Sequence, residues 1–189
     1  MNDKIFWIDI ESTGLDFRRH DIIQLSYLIE INKEIKEEGN FYVQPFNYDT
    51  IEKAALEVNK LEISQIKTFP EPKEIYNKIK GILEKYIDRY NKNDKFSMAG
   101  YNNTNFDVPF LKQFFIKNND RYFGAFFNYH ILDVFPLLFA LEYKGLIKLD
   151  NFKLITVCKH FGIELKAHDA LSDIKATREL FNILLTYFK

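Results

Sequence analysis

Residues 4–14 read Lys-Ile-Phe-Trp-Ile-Asp-Ile-Glu-Ser-Thr-Gly, and this stretch decides the fold. Successive side chains of a strand point to opposite faces of the sheet. One face carries Ile5 and Trp7, and the other carries Phe6, Ile8 and Ile10. Because both faces are apolar, the stretch predicts a central strand that is covered on both sides. The two acidic residues that follow therefore lie at the end of a largely buried strand.

The rest of the chain alternates between strand-like and helix-like patterns. Ile22 to Ile31 and Ile35 to Val43 predict an antiparallel hairpin, so that the chain opens with a β-meander. Later patterns predict two further strands, over Phe96 to Ala99 and near Tyr129 to Leu132. They also predict five helices: one over Glu74 to Tyr90, one capped by Asn105 or a neighbour, one after Asp133, one from about Phe152 to His160 and one from about Asp169 to Tyr187. This order predicts an α/β fold, a mixed sheet with helices on both faces.

Length and charge restrict the class of protein. The 189 residues, 47% of them hydrophobic, are enough for one domain with its own core, so residues 1–189 are expected to form a single domain. The 26 basic and 27 acidic residues nearly cancel, which excludes a polycationic surface that grips nucleic acid by counterion release alone. Any charge that handles phosphates must be local. Most aromatic residues stand at core-like spacing and are expected to be buried.

Cysteine usage and hydropathy indicate the compartment. Cys158 is the one cysteine, which excludes a disulfide framework, and its apolar neighbours predict an inert core thiol. The first residues lack the pattern of a secretory leader, and no run approaches the roughly 18 apolar residues of a membrane span. A cytoplasmic protein without a membrane association is therefore expected.

Asp9 and Glu11 are the first candidates for chemistry. They lie two residues apart on the strand, so their side chains share a face. Two adjacent carboxylates on a buried strand repel each other unless a cation neutralises them, and Mg²⁺ and Mn²⁺ prefer such oxygen ligands. Taken alone, the pair also fits two solvated acids at a strand end.

Asp107, His168 and Asp173 are candidates of the same kind. Asp107 begins a helix after a short strand, where an acid also interacts well with the helix dipole. His168 precedes the last helix and is expected on a loop that leans over a site faced by Asp173, although a capping or solvated His also fits. The ends of neighbouring strands meet at one edge of an open sheet, which favours a shared site.

Three segments resemble the motifs of the DnaQ-like, or DEDDh, 3′-to-5′ exonucleases. Residues 7–16, Trp-Ile-Asp-Ile-Glu-Ser-Thr-Gly-Leu-Asp, resemble the first motif. Residues 100–107, Gly-Tyr-Asn-Asn-Thr-Asn-Phe-Asp, are similar to the second motif in the form of bacterial exonuclease I. Residues 168–173, His-Asp-Ala-Leu-Ser-Asp, resemble the third, with the spacing of the histidine branch.

The resemblance implies a ribonuclease H-like fold with a five-stranded mixed sheet whose second strand is antiparallel. It implies catalytic roles and two divalent ions, Mg²⁺ or Mn²⁺. Asp9, Glu11 and Asp173 would hold one ion, and Asp9 would bridge to a second ion near Asp107. His168 would be the general base. Thr13 and Gly14 would contact the terminal nucleotide through their backbone, and Leu15 would wedge against the last base.

The function that the resemblance implies is hydrolysis of phosphodiester bonds at nucleic-acid 3′ ends, releasing nucleoside 5′-monophosphates, with single-stranded DNA favoured over RNA. One alternative is an exoribonuclease similar to oligoribonuclease or ribonuclease T, since sugar choice depends on contacts to a 2′-hydroxyl. Another is a non-catalytic nucleic-acid or protein-binding module with this fold. The resemblance leaves open whether the chain works alone or as a proofreading subunit beside a polymerase or other replication partner.

Overall fold

The computed structural model describes residues 4–165 and 170–188. Its strands are β1 (Lys4–Ser12), β2 (Ile22–Ile31), β3 (Glu34–Tyr42), β4 (Phe96–Gly100) and β5 (Phe127–Asp133). Its α-helices are α1 (Lys53–Asn59), α2 (Ile63–Ile66), α3 (Pro72–Tyr86), α4 (Asp107–Lys117), α5 (Val134–Tyr143), α6 (Leu154–Phe161) and α7 (Ala170–Leu185). None of the helices within these residues combines the length and the apolar character that crossing a membrane requires.

The five strands form one mixed sheet in the order β3-β2-β1-β4-β5. β2 is antiparallel to both β1 and β3, whereas β4 is parallel to β1 and β5 is parallel to β4. β2 therefore runs against the other four strands. This arrangement confirms the expected meander, the five-stranded mixed sheet and the central position of β1.

Each face of the sheet carries its own hydrophobic core. On one face, Phe6, Ile8 and Ile10 pack with α3 and α4. On the other, Trp7 packs with apolar residues of α5, α6 and α7. The alternation predicted for β1 is confirmed, and Cys158 is buried in the second core. Burying both faces fixes the register of β1, because a slip of one residue would exchange the two faces.

The ends of some elements differ from the sequence prediction. Helix α3 ends at Tyr86 because Ile87 is extended and donates its N–H to Leu83 as the helix cap. No side chain caps α4: Phe106 occupies the cap position, while the Asn105 amide donates to Asn102 Oδ1. Asp133 caps α5 as predicted, because its carboxylate accepts the N–H of Phe135.

Candidate active site

Two carboxylates lie at the C-terminal end of β1. Asp9 and Glu11 continue the face of Trp7, since side chains two residues apart on a strand point the same way. Both are partly buried. The pairing of β1 with β2 shifts register between Glu11 and Ser12, and such a bulge bends a strand end and re-aims its side chains. The two acids are thus presented where β1 leaves the sheet.

A third carboxylate comes from the first turn of α7. Asp173 lies one turn before buried Thr177 and two turns before Leu180, which packs α7 against the Trp7 face. Because α7 contacts β1 on this face, the helix brings its first turn toward the strand end that carries Asp9 and Glu11. Two residues 164 positions apart in sequence, Asp9 and Asp173, thereby share one edge of the sheet.

Asp107 reaches the same edge from the start of α4. Its side chain is buried, and Oδ1 accepts the backbone N–H of Ile10 at 2.9 Å. Ile10 lies between the two acids of β1, so this bond fixes Asp107 beside them. An acid that only complemented the helix dipole would not need a partner on a strand 97 residues away. The bond distinguishes Asp107 from an ordinary first-turn acid.

The four carboxylates act on one another's ionisation. Burial, followed by the charges of Asp107, Glu11 and Asp173, raises the pKa of Asp9 well above its usual range. Burial and then Asp173 raise the pKa of Glu11 to about 7. Burial also raises the pKa of Asp107 to about 7, against the lowering effect of the Ile10 N–H. Carboxyl groups are thus concentrated at this edge of the sheet, which is the situation that a bound metal relieves.

The donor set fits hard divalent cations. Carboxylate oxygens on a rigid strand and a helix start are the ligands that Mg²⁺ and Mn²⁺ prefer. Across residues 4–165 and 170–188, no three His, Cys, Asp or Glu side chains are already arranged to hold an ion. Asp9, Glu11, Asp107 and Asp173 are therefore the residues that could hold one.

His168, expected as the general base, belongs to residues 166–169 and lies outside the described part of the chain. The residues on both sides of this segment are placed: α6 ends at Phe161, and α7 begins at Ala170, only three residues before Asp173. The role of His168 remains the one that the motif resemblance implies.

Buried contacts hold the turn after β1 in place. Thr13 is fully buried, and its Oγ1 accepts the N–H of Asp21 at 2.9 Å while its own N–H is donated to the Asp21 carbonyl. Gly14 lies against the imidazole of His20, and a Cβ at this position would come within 2.6 Å of that ring. The His20 ring is itself fixed, since Nδ1 accepts the N–H of Asp16.

Leu15 projects from this turn into solvent. Its side chain is 80% exposed, far more than an apolar residue with a packing role. A cavity of about 270 Å³ adjoins the turn and Glu11. The cavity is lined chiefly by apolar side chains and backbone, among them Leu15, Ala54, Ala55, Val58 and Phe106.

Part of this cavity was not anticipated from sequence. Helix α1 supplies Ala55 and Val58, and its Asn59 donates its amide to the carbonyl of Ser12 at 3.0 Å. The Glu52 N–H, just before α1, is donated to the Thr13 carbonyl. The available signal was only a short helical pattern between Thr50 and Lys67, which says nothing about where that helix docks. His20 is buried beneath the turn.

A family model described as an exonuclease, RNase_T, matches residues 6–181. No curated protein sequence matches the chain.

Solved structures give a fold-level likeness. E. coli exonuclease I in complex with a dT13 oligonucleotide is 19% identical, with a TM-score of 0.74 over 97% of this chain and 41% of that chain. A product-bound exonuclease I structure is 18% identical, with a TM-score of 0.77 over 98% and 44%. A zinc-bound E. coli exonuclease I–ssDNA complex has a TM-score of 0.73 at 19% identity, over 98% and 43%.

The chain thus spans less than half the length of the exonuclease I chains that it matches. At this identity the likeness establishes the fold, which is the ribonuclease H-like arrangement expected from the motifs. The family model, in contrast, covers nearly the whole chain. The chain therefore belongs to the RNase T exonuclease family, the DnaQ-like nucleases, which use divalent metal ions.

Proposed function

We propose that this protein is a 3′-to-5′ exonuclease that hydrolyses single-stranded DNA and releases nucleoside 5′-monophosphates, using two Mg²⁺ or Mn²⁺ ions. The observation that carries the proposal is the meeting of Asp9, Glu11, Asp107 and Asp173 at one edge of the sheet. Four clustered carboxylates, three of which (Asp9, Glu11 and Asp107) have a raised pKa, are costly for a protein that has no cation to place among them. This cost argues against a binding module that merely retains the fold.

Each of the candidate residues would have its own role in hydrolysis. Asp9, Glu11 and Asp173 would hold one ion, and Asp9 with Asp107 would hold the second. When bound, the ions lower the pKa of the attacking water and stabilise the charge of the leaving 3′ oxygen. His168 would accept the proton of that water, a contribution typically worth about 10²–10⁴ in rate. The Ile10 N–H keeps Asp107 in place for this task.

The turn after β1 would bind the terminal nucleotide. Gly14 would contact it through its backbone, and exposed Leu15 would wedge against the last base. Thr13, expected to share the backbone contact, is fully buried with its N–H and carbonyl already bonded to Asp21 and Glu52, so it would instead position the turn. The adjoining cavity of about 270 Å³ is on the scale of a small-ligand site, roughly 300 Å³ at the lower end, and so suits one nucleotide rather than a duplex. This match in size supports a single-stranded 3′ end as the substrate. The likeness to exonuclease I in complex with single-stranded oligonucleotides supports DNA.

The test is cleavage of a 5′-labelled single-stranded oligonucleotide by the pure protein with Mg²⁺ or Mn²⁺. We expect a ladder that shortens one nucleotide at a time from the 3′ end, and no reaction on the same strand with a blocked 3′ end. A matched RNA strand in the same assay decides the sugar preference. If the RNA strand is degraded faster than the DNA strand, the preferred substrate is RNA and not DNA. A protein that is inert with both metals would refute the exonuclease proposal.

A further inference from the structure

Helix α5 exposes an apolar stripe that the proposed active site does not use. Pro136, Phe139, Ala140 and Tyr143 are exposed and recur at helical spacing. Phe139 is 59% exposed and Tyr143 is 88% exposed, whereas most other aromatic residues of the chain are buried or partly buried. Large exposed aromatics that stand together mark interaction sites more often than isolated ones do.

The segment that follows α5 folds back along the helix and adds a third ring. Leu149 donates its N–H to Glu142 Oε1 near the end of α5. Phe152 then lies 6.4 Å from Phe139, measured between ring centroids, and 5.4 Å from Phe135. The return segment thereby brings partly exposed Phe152 beside the exposed stripe of α5.

Lysines are frequent in the stretch of sequence that carries two of these rings. Residues 143–160 contain Lys144, Lys148, Lys153 and Lys159 but only one acid, Asp150, in a chain whose net charge is −1. All four lysines are exposed. Lys148 and Lys159 line one open cavity of about 320 Å³. We call Phe139, Tyr143, Phe152, Lys148, Lys153 and Lys159 the basic–aromatic surface.

This surface is continuous with the candidate active site. Tyr101, which follows β4, donates its hydroxyl to the Phe152 carbonyl, and its ring lies 5.8 Å from that of Phe135. Helices α5 and α6 both contact α7, the helix whose first turn carries Asp173. The basic–aromatic surface therefore begins next to the helix that carries Asp173.

The cavity proposed for the terminal nucleotide and the basic–aromatic surface lie on opposite faces of the sheet. Phe106 and Leu15 line the cavity for the terminal nucleotide, and α4 packs on the Phe6 face. Helices α5 and α6 pack on the Trp7 face, which also carries Asp9 and Glu11. Neighbouring strands are about 4.8 Å apart, so α5 begins roughly 10 Å from the end of β1, about the reach of one or two nucleotides. A strand whose 3′ end occupies the cavity would cross the carboxylates toward α5.

We propose that the basic–aromatic surface binds the single-stranded nucleic acid on the 5′ side of the nucleotide being removed, by stacking bases on its exposed rings and pairing its lysines with phosphates. The proposal rests on the proposed function for the direction of the strand. Positive charge interleaved with exposed aromatic rings is the pattern that single-strand-binding proteins use. Such a surface would let a chain with nearly balanced charge bind a polyanion, because the basic charge is concentrated where the nucleic-acid strand would leave the site.

Binding rather than cleavage provides the test. The full chain is titrated in EDTA, by fluorescence anisotropy, with a labelled oligothymidylate of about 15 nucleotides, near the upper end of the range that single-strand sites cover, and with a labelled dinucleotide, which is too short to reach the exposed rings of α5. We expect Phe139→Ala/Tyr143→Ala to weaken binding of the longer strand by at least about 25-fold, since each of the two lost stacking contacts is worth at least about fivefold. Binding of the short strand should stay the same.

The salt dependence of binding tests the lysines. In Lys148→Gln/Lys153→Gln, the slope of log affinity against log salt should fall by about 1.4, since each contact to a single-stranded phosphate contributes about 0.7. The matched control is Tyr90→Ala/Lys92→Gln. Tyr90 is also 88% exposed, but it lies before β4, at the opposite end of the strand from the carboxylates. This control should bind both strands as the wild type does.

The outcomes separate this proposal from the proposed function. If the protein cleaves nothing with any metal and the aromatic variant still loses affinity only for the longer strand, the surface proposal stands and the exonuclease proposal fails. If the protein is an active exonuclease but both surface variants bind the longer strand like the wild type, the surface proposal is overturned. It is overturned equally if the variants change only the oligomeric state in sedimentation, which would make the surface an interface between copies.

Discussion

Asp107 and Ile10, 97 residues apart in sequence, are joined by a 2.9 Å hydrogen bond from the Ile10 N–H to Asp107 Oδ1. The bond ties the start of α4 to the strand segment between Asp9 and Glu11. It gives Asp107 two separable roles, because the hydrogen bond needs only an acceptor oxygen, whereas metal binding needs the negative charge.

The first prediction separates these roles. Asp107→Asn keeps an acceptor for the Ile10 N–H, so its free energy of unfolding should stay near that of the wild type while turnover falls by at least about 10²-fold, the scale of one lost electrostatic contact in an active site. Asp107→Ala leaves a buried N–H unsatisfied and should also lose about 1–3 kcal/mol of stability. Chemical denaturation and oligonucleotide cleavage measure the two effects. Wild-type turnover in Asp107→Asn would remove Asp107 from the metal site.

The second prediction concerns Glu11 and pH. Burial and the charge of Asp173 raise its pKa from the ordinary 4.5 to about 7. Between pH 4.5 and about 7, Glu11 is protonated in the folded state but ionised in the unfolded chain. The folded state is therefore favoured most at a pH below 4.5, and this contribution to the free energy of unfolding is lost as the pH rises through about 7. In EDTA, the thermal midpoint should therefore fall as the pH rises from about 5 to about 8.

A bound cation should oppose this loss. Mn²⁺ favours the ionised carboxylates, so the fall in the midpoint should shrink or reverse in its presence, and Mn²⁺ affinity should increase over the same pH range. Glu11→Gln, which cannot ionise, should show a flatter pH dependence in EDTA. Calorimetric scans with and without Mn²⁺ provide the comparison, and identical pH profiles in both conditions would contradict the metal assignment.

The third prediction tests the packing under the turn. Gly14→Ala forces a methyl group to within 2.6 Å of the buried His20 ring and should cost about 1–3 kcal/mol, as overpacking does elsewhere, together with activity. Gly81→Ala is the matched control, because nothing lies within 4 Å of its added Cβ in α3 and the change should stabilise the protein by about 0.5–1 kcal/mol.

A double variant shows whether the clash is the cause. Gly14→Ala combined with His20→Ala should lose less than the sum of the two single variants, because the methyl group then has no ring to meet. Strict additivity of the two stability losses would mean that Gly14 and His20 act independently.

The fourth prediction concerns Leu15. Since its side chain is 80% exposed, Leu15→Ala should change the free energy of unfolding by no more than about 0.5 kcal/mol. Its KM for a single-stranded oligonucleotide should rise about fivefold, the effect of losing roughly 1 kcal/mol of apolar contact with a base. Ile35→Ala, at a 45% exposed position on β3, serves as the control and should leave KM unchanged. An unchanged KM in Leu15→Ala would exclude the wedge.

Much of this site follows from the alternation along β1. The pattern that places Trp7 opposite Phe6 also places Asp9 and Glu11 on the Trp7 face, and both core clusters confirm it. The apolar stripe of the last helix likewise predicts which face of α7 packs on the sheet. These features are local, and periodicity reports local geometry well.

Contacts between distant segments could not be read in the same way. The bond between Asp107 and Ile10 and the docking of Asn59 on Ser12 depend on how α4 and α1 settle against the sheet, which no short pattern encodes. The exposed face of α5 escaped prediction for a related reason. Its residues are apolar around most of the helix, so the general expectation that most aromatic residues are buried does not single out Phe139 and Tyr143 as exposed.

The central claim is tested most directly by the product of cleavage in H₂¹⁸O, compared between the wild type and Asp9→Asn. The wild type, with Mg²⁺ or Mn²⁺, should release nucleoside 5′-monophosphates from the 3′ end, each carrying one ¹⁸O on phosphorus from the attacking water. Asp9→Asn should fold with equal or higher stability in EDTA, because one repelling charge is gone, and release at least about 10²-fold less product. Nucleoside 3′-monophosphates, fragments from internal cleavage, or equal rates for the two proteins would contradict the account.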